Sequence, residues 1–316
     1  VTGTSASARA TTAAPPYEEL LTLACRAPSV HNTQPWLWRA TATGLELVAD
    51  RSRQLLHSDP DGRDLAISCG AALHHVQVAA AGLGWASHVR RVPEPGRPHR
   101  LAMVSFTRAP VSPDATRLLQ ALAARHTDRR PLGSWPVPPE QLHSLARSGS
   151  RWGAHVLPVS DGAVRQRLAE LTARADELQR SDTAYLDELA LWRRNDRGSG
   201  MPTADLLRRE PAPPEAMEEE GVGLLMVATS SDDTLSRLRA GEALSEVWLR
   251  ATQKGLSVVP MSQCIEVAQT RAEVSGTVLE DRLCPQILVR IGWLPASREP
   301  LERTPRRALR DVFLRT

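Results

Sequence analysis

Six stretches of the chain carry apolar residues at the spacing of a helix that buries one face: residues 17–27, 62–83, 113–125, 139–148, 161–179 and 232–254. Shorter runs rich in Val, Ile and Leu predict strands over 45–49, 100–106, 155–159, 223–229, 257–260 and 287–291. The two kinds of element interleave without a steady strand–helix–strand rhythm. That order predicts an α+β fold, with antiparallel or mixed sheets flanked by long helices. Residues 1–16 hold mainly Ala, Ser and Thr with a single charge, Arg9, and read as a flexible tail.

Two of the helical patterns match each other. Gly70, Ala72, Leu73, Val76, Ala80 and Gly84 recur as Gly241, Ala243, Leu244, Val247, Ala251 and Gly255, six of fifteen positions at a constant offset of 171 residues. Chance at ordinary residue frequencies gives about one match. Both copies set small residues along one stripe and stop at a glycine. Upstream, 20–26 and 118–125 are both apolar helical runs closed by Ala-x-Arg. These parallels predict two related halves, 17–110 and 111–316, split at the prolines around 110–113. The plainer alternative is two unrelated small-residue helices packed closely. Residues 185–214 stand apart: Trp192 to Gly200 is rich in charge and glycine, and a proline-rich run follows. Too polar for a core, this stretch reads as a lid over a site or as a surface insertion.

Composition narrows the function. A hydrophobic share of 41% and a charged share of 24% exclude a disordered or fibrous chain. The 39 basic and 36 acidic residues leave +3, too little to imply a nucleic-acid partner. Lys254 is the only lysine and Gly255 follows it, so there is no phosphate-binding P-loop. Cys25, Cys69, Cys264 and Cys284 form no C-x-x-C pair and no zinc spacing. Reduced thiols of a cytoplasmic protein are expected, and no metal. The most apolar stretch, 66–85, is broken by His74, His75 and Gln77, which argues against a membrane span. The two adjacent histidines point about 100° apart on a helix, cannot share an ion, and are expected at a surface or interface. Gly221-Val222-Gly223 is followed by Met226 where a dinucleotide fingerprint needs glycine, and neither G-x-S-x-G nor H-E-x-x-H occurs. Redox proteins with a non-Rossmann cofactor and binding proteins remain.

Three segments carry candidate chemistry. Ala27-Pro28-Ser29-Val30-His31-Asn32-Thr33-Gln34-Pro35-Trp36 packs hydrogen-bonding side chains between two prolines. The prolines are expected to hold it extended, with Gln34 kept in the β or polyproline region by Pro35. Such a loop suits edge-on recognition of a heteroaromatic ring, or else simply caps helices. Arg125-His126-Thr127-Asp128-Arg129-Arg130 places a hydroxyl between guanidiniums after a helix, a spacing that can grip phosphate. From residue 300 onward, Arg303, Arg306, Arg307, Arg310 and Arg315 face only Glu302 and Asp311.

These segments resemble the FMN-dependent nitroreductases, and with His31 and Thr33 the first loop is most similar to the Acg-type branch. The resemblance implies a nitroreductase-like fold in which Ser29, Asn32 and Gln34 are offered across an interface to FMN. It places Arg125, His126, Thr127 and Arg129 on the phosphate and ribityl chain, with Arg306 and Arg307 completing the phosphate clamp. Pro260, Met261, Ser262 and Gln263 would lie beside the flavin ring. There the family has Pro-x-Glu-Gly, and this chain departs from it at Ser262 and Gln263. The first half holds the loop without the arginine cluster, and the second holds the cluster without the loop. A fused pseudo-dimer follows: a monomer with one FMN per chain. The implied activity is NAD(P)H-dependent reduction of a small-molecule electron acceptor, a nitroaromatic or quinone, with the flavin carrying the chemistry and no catalytic side chain. The alternative is a protein that stores FMN beneath a lid and turns over little.

Overall fold

The computed structural model describes residues 14–92, 94, 96–197, 217, 219, 221–295 and 303–315. Residues 1–13 of the expected tail and 198–214 of the expected lid lie outside the described residues.

The fold is α+β, built on two sheets. The first contains β1 (Trp36–Thr41), β2 (Gly44–Ala49), β3 (Trp85–Arg91), β4 (Arg100–Arg108) and β9 (Phe313–Leu314), in the order β3-β4-β2-β1-β9. Its pairings are antiparallel except for β9, which lies parallel to β1 with Phe313 beside Trp38. The second contains β5 (His155–Pro158), β6 (Gly223–Thr229), β7 (Leu256–Met261) and β8 (Cys284–Trp293), antiparallel in the order β5-β6-β8-β7. The last strand of the chain therefore completes the sheet that the first strands began.

Helices α1 (Tyr17–Ala24), α2 (Arg63–Gly82), α3 (Pro113–Ala124), α4 (Pro139–Ser150), α5 (Gly162–Ser181), α6 (Thr183–Arg197), α7 (Thr234–Gln253), α8 (Gln263–Glu266), α9 (Ala268–Val278) and α10 (Leu309–Val312) pack around the sheets. Their starts are written locally. Ser112, Asp161 and Asp233 each accept a hydrogen bond from the backbone N–H three residues on, which meets one orphan donor of the first turn.

At the centre, α2 packs against α7. Gly70 and Gly241 meet there: a Cβ on Gly70 would strike the Leu238 carbonyl oxygen, and one on Gly241 the Ile67 carbonyl oxygen. Only glycine permits backbones this close. His74 Nδ1 lies 2.8 Å from Ser245 Oγ, and these residues are themselves 171 apart in sequence. The sequence repeat is thus a spatial one, with a local twofold relation between the two central helices.

By length and apolarity α2 passes for a membrane span, and 83% of that window is buried inside the protein. Two expectations need correction. Of the surface and interface positions expected for His74 and His75, the surface is excluded: both are fully buried, and His74 meets Ser245 between α2 and α7. Gln34 is not held in the β region by Pro35: its φ is 49°, in the left-handed region, as are those of His31 (42°) and Asn32 (56°). Its N–H donates to Ser29 Oγ at 3.0 Å, and its side chain is clasped by the C-terminal segment, so tertiary contacts override the local preference. Strands β1, β3 and β9 and helices α6, α8 and α9 were not expected. β3 is mostly polar, β9 has two residues, and α9 buries only Thr270 and Val274, so none carries a clear apolar period.

Candidate functional site

A cavity opens between the loop at 28–31, the N-terminal half of α2, the middle of α7 and the end of β7. It encloses about 870 Å³, open solvent at its mouth included. One wall is apolar, formed by Ile67, Ala71, Leu244, Trp248 and Ile287. The polar rim holds Ser29, Thr127, Arg129, Ser262 and Gln263, with Pro260 and Met261 beside them. Seven residues singled out from the sequence therefore meet here, from both halves of the chain.

The rest of the arginine cluster gathers beyond the Trp248 end. Arg125 follows α3, is 9% exposed, and sets its guanidinium 4.8 Å from the Trp248 ring centre. One nitrogen donates to the Arg26 carbonyl at 2.9 Å, while Nε and Nη1 have no hydrogen-bond partner among the described residues. Burial, and then the positive charges of Arg306 and Arg26, pull its pKa down to about 9. A cation held dry beside other cations, with donors unmet, is the environment that an anion relieves. Arg306 approaches the same carbonyl, donating to Arg26 O at 3.3 Å and to Asn32 Oδ1 at 3.1 Å.

The other predicted residues lie differently. Asn32 does not line the cavity: it donates to the Pro305 carbonyl at 3.1 Å while accepting from Arg306. Gln34 Oε1 accepts the Arg307 N–H at 2.8 Å. The Arg307 side chain turns away to the Gln34 carbonyl (3.0 Å), Asp50 (3.1 Å) and the Asp311 carbonyl (2.8 Å). These three residues fasten the C-terminal segment to the first half, and so place Arg306. His126 is exposed, with Nδ1 3.2 Å from the Ala124 carbonyl.

The end of the cavity away from Arg125 is acidic. Asp64 and Glu266 line both this cavity and a neighbouring one. Burial, then the nearby Asp59 and Glu266 carboxylates, raise the Asp64 pKa well above the usual range. Burial likewise raises Glu266, against hydrogen bonds from Ser262 Oγ (2.5 Å) and Gln179 Nε2 (2.7 Å). Ser262 stands where the resemblance expects a glutamate, and its hydroxyl is bonded to a carboxylate four residues on. Sequence reasoning missed Asp64, Ser68, Trp248 and Glu266. The first three sit on the repeat helices, whose cavity-facing stripes were the available signal. Burial pushes the Cys25 and Cys264 thiols up to about 11, so neither is a ready nucleophile.

Above the cavity, Glu188 of α6 accepts hydrogen bonds from the backbone N–H groups of Leu56 (2.5 Å), His57 (3.2 Å) and Ser58 (3.1 Å), and from Ser58 Oγ (3.0 Å). Tyr185 of the same helix lines the cavity, and Arg53 lies 5.0 Å from the Trp192 ring centre. The helix that opens the expected lid is thus docked as a roof.

The fold is α+β on two sheets, and among the described residues the loop at 28–31, α2, α7 and β7 enclose a cavity that gathers the sequence-singled residues. The chain is 39% identical over 312 residues to "Putative NAD(P)H nitroreductase Rv3131" of Mycobacterium tuberculosis, spanning 93% of this chain and 89% of that protein. It is 31% identical over 312 residues to "Putative NAD(P)H nitroreductase acg" of the same organism, spanning 92% and 93%. The chain belongs to the nitroreductase superfamily, in the branch that includes acg. No protein-family model matches it. Solved structures that align with part of it include the FMN-dependent nitroreductase NfnB from Mycobacterium smegmatis with NADPH (21% identity, 62% of this chain and 96% of that one, TM-score 0.43). Another is iodotyrosine deiodinase bound to FMN and 3-iodo-L-tyrosine (18%, 60% and 95%, TM-score 0.45).

Proposed function

We propose that the chain is a monomeric flavoprotein that binds one FMN and uses NAD(P)H to reduce a small electron acceptor. The observation that carries this reading is Arg125: a buried guanidinium with two unmet donors, near Arg306 and stacked on Trp248, which lines the apolar wall of the cavity. The residues present fit FMN. Arg125 and Arg306 would hold the phosphate, and Ser29, Thr127 and Arg129 would meet the polar chain. Trp248, Leu244, Ala71 and the Pro260–Met261 backbone would enclose the ring. When bound, FMN supplies the two-electron chemistry that links NAD(P)H to an acceptor such as a nitroaromatic or quinone. The protein contributes orientation, exclusion of water, and the field of its cationic and acidic ends. Both related halves lie in one chain, 17–110 and 111–316, so the partner surface is internal and a monomer is expected.

The names of the relatives support the NAD(P)H assignment, and the roof formed by α6 favours a second reading, storage of FMN with little turnover. Anaerobic mixing of the FMN-loaded protein with excess NADPH or NADH separates the two. Bleaching of the flavin absorbance, followed by reoxidation with menadione or nitrofurazone, is expected. Flavin that stays oxidised would leave storage as the function. A failure to retain FMN at all would remove both readings.

A further inference from the structure

The residues of α2 that line the cavity lie on one stripe: Asp64, Ser68 and Ala71 are three or four apart and face the same way. One turn further on, the stripe reaches His75. Its side chain is fully buried, and neither Nδ1 nor Nε2 has a hydrogen-bond partner among the described residues. A neutral imidazole carries one donor and one acceptor, and leaving both unmet in a dry interior is costly. The charged or titratable groups facing it are Arg125 from the segment after α3, Arg306 from the C-terminal segment, and its neighbour His74. The Leu23 carbonyl of α1 lies near the ring without hydrogen-bond geometry.

We propose that His75 is a third ligand of the phosphate group held by Arg125 and Arg306, and that it takes up a proton when that group binds. The proposal rests on the FMN reading above and names the phosphate monoester as the ligand chemistry. Without an anion, burial and then the charges of Arg125, His74 and Arg306 hold the His75 pKa well below its ordinary value, so the ring is neutral. A phosphate dianion between the two arginines reverses the sign of that field and offers an acceptor to an otherwise unmet ring N–H.

The twofold-related position supports the same reading from the other side. The residue 171 places after His75 is Glu246, a carboxylate held by Arg250 and lying 3.1 Å from His74 Nε2. There the arginine beside the equivalent position, Arg250, already has carboxylate partners in Glu246 and Asp114.

The sign of the linkage follows. A group whose pKa rises on binding favours the bound state at low pH, and that advantage is lost as pH rises through the bound-state pKa. FMN's own phosphate acts oppositely. With a second pKa near 6, about one tenth of it is protonated at pH 7, so binding as the dianion releases at most about 0.1 proton. Net proton uptake at pH 7 therefore marks the histidine.

The test is calorimetric titration of the apoprotein with FMN and with riboflavin at pH 7, in two buffers of different ionisation enthalpy. Wild type and His75→Gln are compared, with affinities repeated from pH 6 to 8.5. The expected result is net proton uptake with FMN in the wild type and none with riboflavin. His75→Gln should bind FMN several-fold more weakly at pH 6 and approach the wild type at pH 8.5. Phosphate-selective binding without proton uptake in the wild type overturns the proposal alone, and that measurement needs no variant to fold. Identical pH dependence in wild type and a folded His75→Gln overturns it too. Equal affinity for FMN and riboflavin removes the phosphate site, and with it the reading on which the proposal rests.

Discussion

The two sides of the α2–α7 axis hold positions related by the 171-residue offset and carry opposite chemistry. On one side Ser68, Ala71, His75 and Trp248 face the cavity or its cationic end. Shifting each by 171 residues gives Arg239, Glu242, Glu246 and Gln77 on the other side. There Glu242 is gripped by Arg91 (2.6 and 2.8 Å) and by Gln77 (2.8 Å), and Glu246 by Arg250 (2.8 Å). Arg250 also forks onto Asp114 at 2.7 and 2.8 Å. A cleft lies here too, lined by His74, Gln77, Arg239, Glu246 and Arg250, and in it Arg250 pairs with both Glu246 and Asp114. The difference is one of side-chain type: small and aromatic residues that leave room beside the axis on one side are matched on the other by longer polar and charged ones, several of which pair across the cleft.

The largest break in this comparison is at the axis itself. Gly241→Val puts a branched side chain into the Ile67 backbone. Overpacking of this kind costs typically about 1–3 kcal/mol and more when backbone must move, so a loss of about 3 kcal/mol or greater in urea denaturation is expected. An unchanged midpoint would show that the two helices do not meet as described.

Arg125→Ala separates binding from stability. Charge-assisted hydrogen bonds are worth about 1.5–3 kcal/mol, so FMN affinity should fall by tenfold to about a hundredfold. The apoprotein should lose less than about 1 kcal/mol, because the removed side chain has two unmet donors and repels Arg306 and Arg26. A large stability loss with unaltered FMN affinity would make Arg125 a packing residue.

On the other side of the axis the pattern should reverse. Burial would raise Glu246, but hydrogen bonds and charges from His74 and Arg250 outweigh it and hold its pKa below the ordinary range. Such a group contributes stability above its unfolded pKa, near 4, that is lost as pH falls through its lower folded value. Glu246→Gln should therefore cost about 1–2 kcal/mol at pH 7, flatten the loss of stability below about pH 4, and leave FMN affinity within about twofold. A matching drop in FMN affinity would show that the second cleft still serves the site. The smallest effect is expected at the roof. Glu188→Ala removes hydrogen bonds worth about 0.5–1.5 kcal/mol and should speed FMN dissociation about twofold to tenfold in stopped-flow displacement.

Much of this architecture could be read from the chain. The 171-residue offset identified the two helices that form the axis, because close backbone approach demands glycine at matched positions. The two-sheet α+β class followed from the order of apolar runs. The family resemblance also grouped Ser29, Thr127, Arg129 and 260–263, and all of them line the one cavity between the 28–31 loop, α2, α7 and β7. What the chain withheld is tertiary. Nothing local says that Asn32 binds Arg306 and Gln34 binds Arg307, since those partners are some 270 residues apart. His74 and His75 looked like surface residues because two polar side chains in an apolar helix normally are. Here one meets its twofold mate Ser245 and the other faces the arginine pair. Glu266 was missed because the resemblance points to 262, where this chain has Ser, and not to the carboxylate four residues on that the Ser262 hydroxyl donates to.

The most direct test of a single phosphate-gripping site is an equilibrium titration of the apoprotein with FMN and with riboflavin, read by flavin fluorescence alongside molar mass from light scattering. One FMN per chain of about monomer mass is expected, with riboflavin bound at least tenfold more weakly, as the loss of one or more charge-assisted bonds requires. Two flavins per chain, or equal affinity for the two ligands, would contradict the account.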